Sequence, residues 1–166
     1  HGITTTASQR EKAGAWFYEM TELGYNYRIT DFQCALGSSQ LKKLNAWIDK
    51  RNELAQAYEA ALAGQDSIRP LKCREDVRHA YHLYVVRTSG RDALFHHLRA
   101  NGIGANVHYV PVHLHPYYRN VVGTREGLCP VAEAAYRDIL TLPLWPGMTE
   151  KDISYIIQKL CSKESL

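Results

Sequence analysis

One long helical pattern, between Thr30 and Gly64, constrains the fold of this chain more than any other feature. Thr30 and Gln33 have the spacing of a capping box, in which two side chains bond the free N–H groups at a helix start. Gly64 is a suitable stop, because glycine readily adopts the left-handed backbone of a helix end. We therefore predict a helix over residues 31–64, about 50 Å long, which is typical of a helix that joins two domains or lines a subunit contact. Its apolar positions are Leu41, Leu44, Ile48, Ala55, Tyr58 and Leu62.

Patterns of strand and helix alternate in the residues that follow this helix. Residues 79–88 are rich in aromatic and β-branched side chains and predict a strand. Residues 91–101 predict a short helix that ends at Gly102. Residues 103–118 predict a strand and then a loop, because two prolines in this segment would interrupt a sheet.

The C-terminal part of the chain predicts two further helices. Residues 130–142 have a helical pattern that ends at Pro143. Thr149 and Asp152 form a second capping box, followed by an apolar face of Ile153, Ile156, Ile157 and Leu160. This alternation of helices and strands predicts an α/β or α+β fold.

The composition argues against several functional classes. The net charge is only +3 and both signs are interspersed, which favours neither a nucleic-acid partner nor a membrane surface. No apolar run approaches the roughly 18 residues that a membrane span requires. The cysteines lie far apart, without metal-ligand or disulfide-framework spacing, so we predict a reduced cytoplasmic protein in which they are small core residues. They are Cys34, Cys73, Cys129 and Cys161.

The loop directly before the long helix is a candidate anion site. Asn26 can donate two amide hydrogen bonds, and Arg28 can bind an oxyanion through two. Asp31, in the first turn, would repel a phosphate from the helix end itself, so these side chains would have to hold it. Alternatively, Arg28 pairs with Asp31, and Tyr25 and Tyr27 cover a core. Taken alone, the residues favour the second interpretation.

The second candidate is the segment Val107–Tyr118, which crowds histidines and tyrosines around prolines. Such a rigid aromatic segment suits recognition of a sugar or nucleotide through ring stacking and directed hydrogen bonds. A zinc site is not predicted, because no Cys, Asp or Glu lies nearby to complete it. An ordinary surface loop with packing tyrosines is an equal alternative. The chain contains no phosphate-binding glycine loop or hydrolase motif, so no self-contained active site is predicted.

Residues 24–62, GYNYRITDFQCALGSSQLKKLNAWIDKRNELAQAYEAAL, resemble the nucleotide-sugar aminotransferases of the DegT/DnrJ/EryC1/StrS family. The stretches HGI, HLYVVR, VHYVPVHLHPYY and LPLWPGMTEKDISYII resemble the same family in the same order, so the resemblance covers nearly the whole chain. VHYVPVHLHPYYR and EGLCPVAE are most similar to the branch that aminates a UDP-linked 4-keto-6-deoxy N-acetylated sugar on the route to pseudaminic acid.

The resemblance implies the C-terminal small domain of a fold-type I pyridoxal-phosphate-dependent transferase, preceded by a long connecting helix. Residues 1–30 would be the remnant of the large cofactor-binding domain. Residues 31–64 would be the connecting helix, and residues 65–166 the small α/β domain.

The implied activity is transfer of an amino group, from glutamate, to a keto carbon of the nucleotide sugar, with pyridoxal phosphate as cofactor. The family's Schiff-base lysine lies upstream of the HGI stretch, so we expect it on polypeptide before His1 and expect residues 1–166 alone to be inactive. None of the lysines here matches it: Lys12, Lys42, Lys43, Lys50, Lys72, Lys151, Lys159 and Lys163. The alternative is a non-catalytic module with a sugar-nucleotide-binding or regulatory role.

The resemblance also implies a homodimer with shared active sites. Asn26 would reach the cofactor phosphate or the substrate in the neighbouring subunit, and Arg28 would lie near the phosphates of the nucleotide sugar. His113 is the implied polar contact of the sugar-nucleotide pocket. The full set of implied substrate contacts is Asn26, Arg28, His108, Tyr109, Pro111, Val112, His113 and Leu114.

Overall fold

The computed structural model describes residues 2–3 and 5–162. The chain divides into two compact units, residues 1–43 and residues 44–166. The first unit contains a seven-residue helix, α1 (Ala7–Ala13), which starts with a capping box and was not predicted. Its short length leaves too few periodic positions for the sequence pattern to indicate a helix.

The predicted long helix is present as α2 (Asp31–Leu62), 32 residues in length. Thr30 N–H donates to Gln33 Oε1 (3.0 Å) and Gln33 N–H donates to Thr30 Oγ1 (3.4 Å), which confirms the capping box. Only the C-terminal half of α2 is buried, through Leu54, Ala55, Tyr58 and Leu62. Its N-terminal half exposes Phe32, Leu36, Leu41 and Leu44.

The second unit is built around a three-stranded antiparallel sheet in the order β1 (Arg69–Pro70), β2 (Tyr84–Arg87) and β3 (Ile139–Leu142). Strand β2 is shorter than the predicted strand over residues 79–88. The reason is Tyr81, whose φ of 44° lies outside the extended region and interrupts the strand backbone.

Strand β3 corrects the prediction that residues 130–142 form one helix. Helix α4 (Pro130–Asp138) ends earlier, and the next four residues pair with β2. Leu140, Thr141 and Leu142 are all buried. A strand that is covered on both faces of its sheet buries consecutive residues such as these three. A helix would turn one of the three outward.

The strand predicted at the start of residues 103–118 is also wrong. Only Asn106 pairs with a neighbouring strand, through two backbone hydrogen bonds to Thr141 of 2.7 and 3.1 Å. After Pro111 the chain forms a single 3₁₀ turn, Val112–Leu114. The missing N–H of proline and its fixed φ prevent the segment from continuing as a sheet strand.

The remaining helices agree with the sequence. Helix α3 (Arg91–Ala100) is followed by Gly102 with φ of 74°. Helix α5 (Glu150–Cys161) starts with the predicted Thr149–Asp152 capping box. The largest fully buried side chains of the core are Tyr58, Val86, Leu94, Leu98, Leu140 and Leu142. This mixture of helices and sheet is the predicted α/β fold.

The four cysteines do not occupy the core positions predicted for them. All four are exposed and unpaired. Cys34 lies on the exposed half of α2, and Cys161 is the last residue of α5, where its Sγ accepts a hydrogen bond from Gln65 Nε2 over 3.8 Å. No helix in the described part of the chain is both long and apolar enough to cross a membrane.

Candidate functional site

The loop before α2, residues 24–30, is here called the Asn26 loop. Asn26 Oδ1 accepts a hydrogen bond from the N–H of Arg28 over 3.1 Å, a local turn typical of asparagine. The rings of Tyr25 and Tyr27 lie 5.6 Å apart and are 73% and 84% exposed. The alternative in which these tyrosines cover a core is therefore wrong.

Arg28 presents an exposed guanidinium group in the same loop. Among the described residues it forms no ion pair with Asp31 or with another carboxylate. An exposed guanidinium group can bind an oxyanion through two parallel hydrogen bonds. The arrangement thus has the chemistry that an anion site requires.

Residues 107–118, here called the histidine loop, lie in the second unit. His108 Nδ1 lies 2.9 Å from Thr141 Oγ1, which ties the start of this loop to β3. Tyr109 is 70% exposed, and Val112 is exposed as well. Pro111 and Leu114 are half-buried. The loop therefore presents an aromatic and aliphatic surface from a base that is fixed to the sheet.

His113 differs from its neighbours in the loop because it is only 9% exposed. Its Nε2 lies 2.7 Å from Glu133 Oε1. Thr124 Oγ1 donates to the backbone oxygen of His113 over 2.7 Å. The residue expected to be the main polar contact is therefore held by the protein at one ring nitrogen and at its backbone.

Glu133 is the functional candidate that the sequence reasoning missed. It lies in the first turn of α4 and is 6% exposed. Its carboxylate accepts hydrogen bonds from the backbone N–H groups of Gly127 (2.9 and 3.0 Å) and Cys129 (3.3 Å) as well as from His113. An acidic residue in the first turn, three positions after Pro130 at the helix start, was the available signal. Its histidine partner, 20 positions away, gives no local pattern.

Glu133 predicts a change of stability with pH. Its pKa lies below the ordinary 4.5, first because the carboxylate accepts the hydrogen bond from His113 and further because it accepts those of Gly127 and Cys129. A carboxyl group whose pKa is lowered by folding stabilises the fold above its ordinary pKa, and this contribution is lost as pH falls through the lowered value. We expect the free energy of unfolding, measured by urea denaturation, to fall as the pH drops below the ordinary value of 4.5 and through the lowered pKa.

The variant Glu133→Gln should show a shallower fall over the same range, because it cannot take up this proton. Glu126→Gln, at an exposed position in the preceding turn, is the matched control and should keep the wild-type slope. Parallel curves for Glu133→Gln and the wild type would contradict the assignment.

The fold of the described chain is that of solved sugar aminotransferases. The PLP form of the putative sugar aminotransferase Spr1654 from Streptococcus pneumoniae superposes with a TM-score of 0.81 at 29% identity, and the match covers all of this chain and 42% of that one. A profile of the DegT/DnrJ/EryC1/StrS aminotransferase family matches residues 1–161, and the chain belongs to this family. The resemblance seen in the sequence is thereby confirmed.

Two curated relatives are similar to this chain in sequence over almost its whole length. The spore coat polysaccharide biosynthesis protein SpsC of Bacillus subtilis is 35% identical over 166 residues, which is 95% of this chain and 43% of the relative. The UDP-4-amino-4,6-dideoxy-N-acetyl-beta-L-altrosamine transaminase of Campylobacter jejuni serotype O:2 is 33% identical over 167 residues, with 98% of this chain and 42% of the relative covered. The chain thus spans about two fifths of the length of these relatives.

Pyridoxal phosphate is the cofactor that this family similarity indicates. The amide of Asn26 and the guanidinium group of Arg28 are donors that suit its phosphate. None of the lysines within residues 2–3 and 5–162 is buried, whereas a lysine that binds a cofactor covalently is commonly activated by desolvation. In the same residues, no three His, Cys, Asp or Glu side chains lie close enough together to hold a metal ion.

Proposed function

We propose that the complete protein containing this chain is a pyridoxal-phosphate-dependent nucleotide-sugar aminotransferase. It would transfer an amino group, from glutamate, to the keto carbon of a UDP-linked 4-keto-6-deoxy N-acetylated hexose on the route to pseudaminic acid. The observation that carries this proposal is the family match over residues 1–161. The similarity to the altrosamine transaminase over 98% of the chain supports the substrate class. The four free cysteines support a reducing, cytoplasmic location.

In this proposal the two loops bind different parts of the ligands. Asn26 donates to the cofactor phosphate or the substrate in the active site of the second subunit of a homodimer, and Arg28 neutralises the diphosphate of the nucleotide sugar. The histidine loop lines the sugar-nucleotide pocket through His108, Tyr109 and residues 111–114. The exposure of Tyr109 and Val112 supports this role, because these surfaces remain available to a ligand.

The proposal also assigns a role to each segment of the chain. Residues 1–30 belong to the large cofactor-binding domain. Residues 31–64 are the helix that connects the two domains, and residues 65–166 form the small domain. Pyridoxal phosphate, when bound, supplies an electron-withdrawing ring for the transfer. The exposed or half-exposed state of the described lysines supports the inference that residues 1–166 contribute binding groups and no covalent attachment of the cofactor.

The test compares the complete protein with residues 1–166 alone. Each is incubated with pyridoxal phosphate, glutamate and the UDP-linked 4-keto sugar, and the amino sugar and 2-oxoglutarate are quantified. We expect stoichiometric formation of both products by the complete protein and none by residues 1–166. A complete protein that forms no amino sugar from any nucleotide-linked keto sugar would refute the proposal.

The non-catalytic alternative is distinguished by titration of residues 1–166 with a UDP-sugar. Saturable binding by this chain, together with inactivity of the complete protein, would favour a module that binds without turnover. Turnover by residues 1–166 alone, with a borohydride-trapped cofactor on one lysine, would contradict the expected inactivity.

A further inference from the structure

Glu133 and His113 form a buried pair whose geometry restricts what the histidine can offer a ligand. His113 Nε2 and Glu133 Oε1 are 2.7 Å apart, and their side chains are 10% and 7% exposed. The other hydrogen bonds to this carboxylate all come from backbone N–H groups, those of Gly127 and Cys129. Every described partner of Glu133 is therefore a donor, which is the environment of an ionised carboxylate.

An ionised carboxylate accepts hydrogen bonds and cannot donate them. The proton between the two side chains must accordingly belong to His113 Nε2. A neutral imidazole carries one N–H group, so Nδ1 of His113 is then the bare nitrogen, which accepts a hydrogen bond. In the neutral ring, the carboxylate thus sets the hydrogen-bonding character of the opposite side.

Nδ1 of His113 has no hydrogen-bond partner among the described residues. The fully enclosed side-chain atoms without a partner, within the same residues, are Tyr84 Oη, Arg91 Nε and His97 Nε2. His113 Nδ1 is not one of them, so it keeps contact with solvent. An acceptor with some access and no protein partner suits a ligand that brings a hydroxyl or amide N–H group, and it does not suit a phosphate oxygen.

We propose that Glu133 is a positioning residue that fixes the ring of His113, in its neutral form, with Nδ1 as an acceptor, so that the histidine loop selects a hydrogen-bond donor on the hexose. This inference rests on the proposed function, because it takes the histidine loop to line the sugar-nucleotide pocket. Glu133 itself touches no ligand. Its effect passes through the ring of His113, and the diphosphate is recognised elsewhere.

The direct test needs no variant. Long-range ¹⁵N–¹H correlation spectra of the complete protein, labelled in histidine, report which ring nitrogen of His113 carries the proton. We expect the Nε2–H form in the ligand-free wild type and a mixture of forms in Glu133→Gln. A glutamine can accept at only one of its two terminal atoms, so it no longer determines which ring nitrogen of His113 carries the proton. A wild-type spectrum of the Nδ1–H form, or of a ring that carries a proton on both nitrogens, would overturn the inference.

The second test separates hexose recognition from nucleotide recognition. The affinities of the complete protein for UDP and for UDP-N-acetylglucosamine are measured by calorimetry, and their ratio is the hexose preference. Glu133→Gln should lower this preference by about 3- to 10-fold, the effect of one neutral hydrogen bond, and leave UDP binding unchanged. Glu126→Gln is the matched control and should change neither affinity.

His113→Gln removes the acceptor and should lower the hexose preference as much as Glu133→Gln does. The double variant should show no further loss, because both changes act through one contact. Additive losses, or an unchanged preference with intact UDP binding, would overturn the role of Glu133 and leave the proposed function standing. Failure of the wild type to bind either ligand would refute the nucleotide-sugar function and, with it, this recognition.

Discussion

Replacing Tyr58 with alanine is expected to lower the free energy of unfolding of the second unit by about 3–5 kcal/mol, the range for a large aromatic side chain removed from a core. Tyr58 is 0% exposed. Its ring stacks on Tyr84 with centroids 4.8 Å apart and an angle of 20° between the planes. Its hydroxyl group donates to the backbone oxygen of Pro143 over 2.9 Å. The side chain therefore fastens α2 both to β2 and to the segment after β3.

Two matched tyrosine variants divide this effect into its parts. Tyr58→Phe keeps the stacked ring and loses only the hydroxyl group, so it should cost about 1–2 kcal/mol. Tyr25→Ala, at the exposed Asn26 loop, should stay within about 0.5 kcal/mol of the wild type. The measurement is urea denaturation of residues 1–166 followed by far-ultraviolet circular dichroism. A cost for Tyr58→Ala no larger than that for Tyr25→Ala would contradict the packing of Tyr58 in the core.

Asn26→Ala in the complete protein is expected to lower kcat/KM by about 10- to 100-fold, because a hydrogen bond to a charged group contributes about 1.5–3 kcal/mol. Asn45→Ala, at an exposed position on α2, is the control and should leave kcat/KM near the wild-type value. The loss on its own does not test the proposed sharing of active sites between subunits. A mixed dimer does.

The mixed dimer combines one Asn26→Ala subunit with one subunit in which the cofactor-binding lysine has been replaced. If Asn26 serves the site of the opposite subunit, one site receives an intact lysine and an intact Asn26. Such a dimer should regain about half of the wild-type activity, since one of two equivalent sites is complete. If Asn26 serves its own subunit, both sites carry a defect and no activity returns. The absence of recovery in purified mixed dimers would refute the shared site.

The parts of the fold that the sequence predicted correctly are those with local physical causes. Thr30 and Gln33 bond each other's backbone, and so do Thr149 and Asp152, which makes these helix starts independent of the rest of the molecule. Gly102 permits the left-handed backbone after α3 for an equally local reason. These signals located the starts of α2 and α5 and the end of α3, and the family resemblance supplied the fold type.

The incorrect predictions have causes that lie far away in the sequence. Residues 139–142 form a strand because β2, more than 50 positions earlier, offers them backbone partners. Tertiary pairing of this kind overrides a short helical pattern. The tie between His113 and Glu133 likewise joins two segments across a turn, and neither residue type indicates the other. Sequence reasoning found the histidine as a candidate ligand contact and missed the carboxylate that orients it.

The two ends of the small sheet have a consequence for how this chain behaves when concentrated. At one border, β1 is only two residues long and contains Pro70, which lacks an N–H group. At the other edge, the backbone of Thr141 is already paired with that of Asn106. A strand from another molecule would find few unused hydrogen-bonding groups to dock against at either side. The second unit is thereby protected against growth into intermolecular β-sheet fibres.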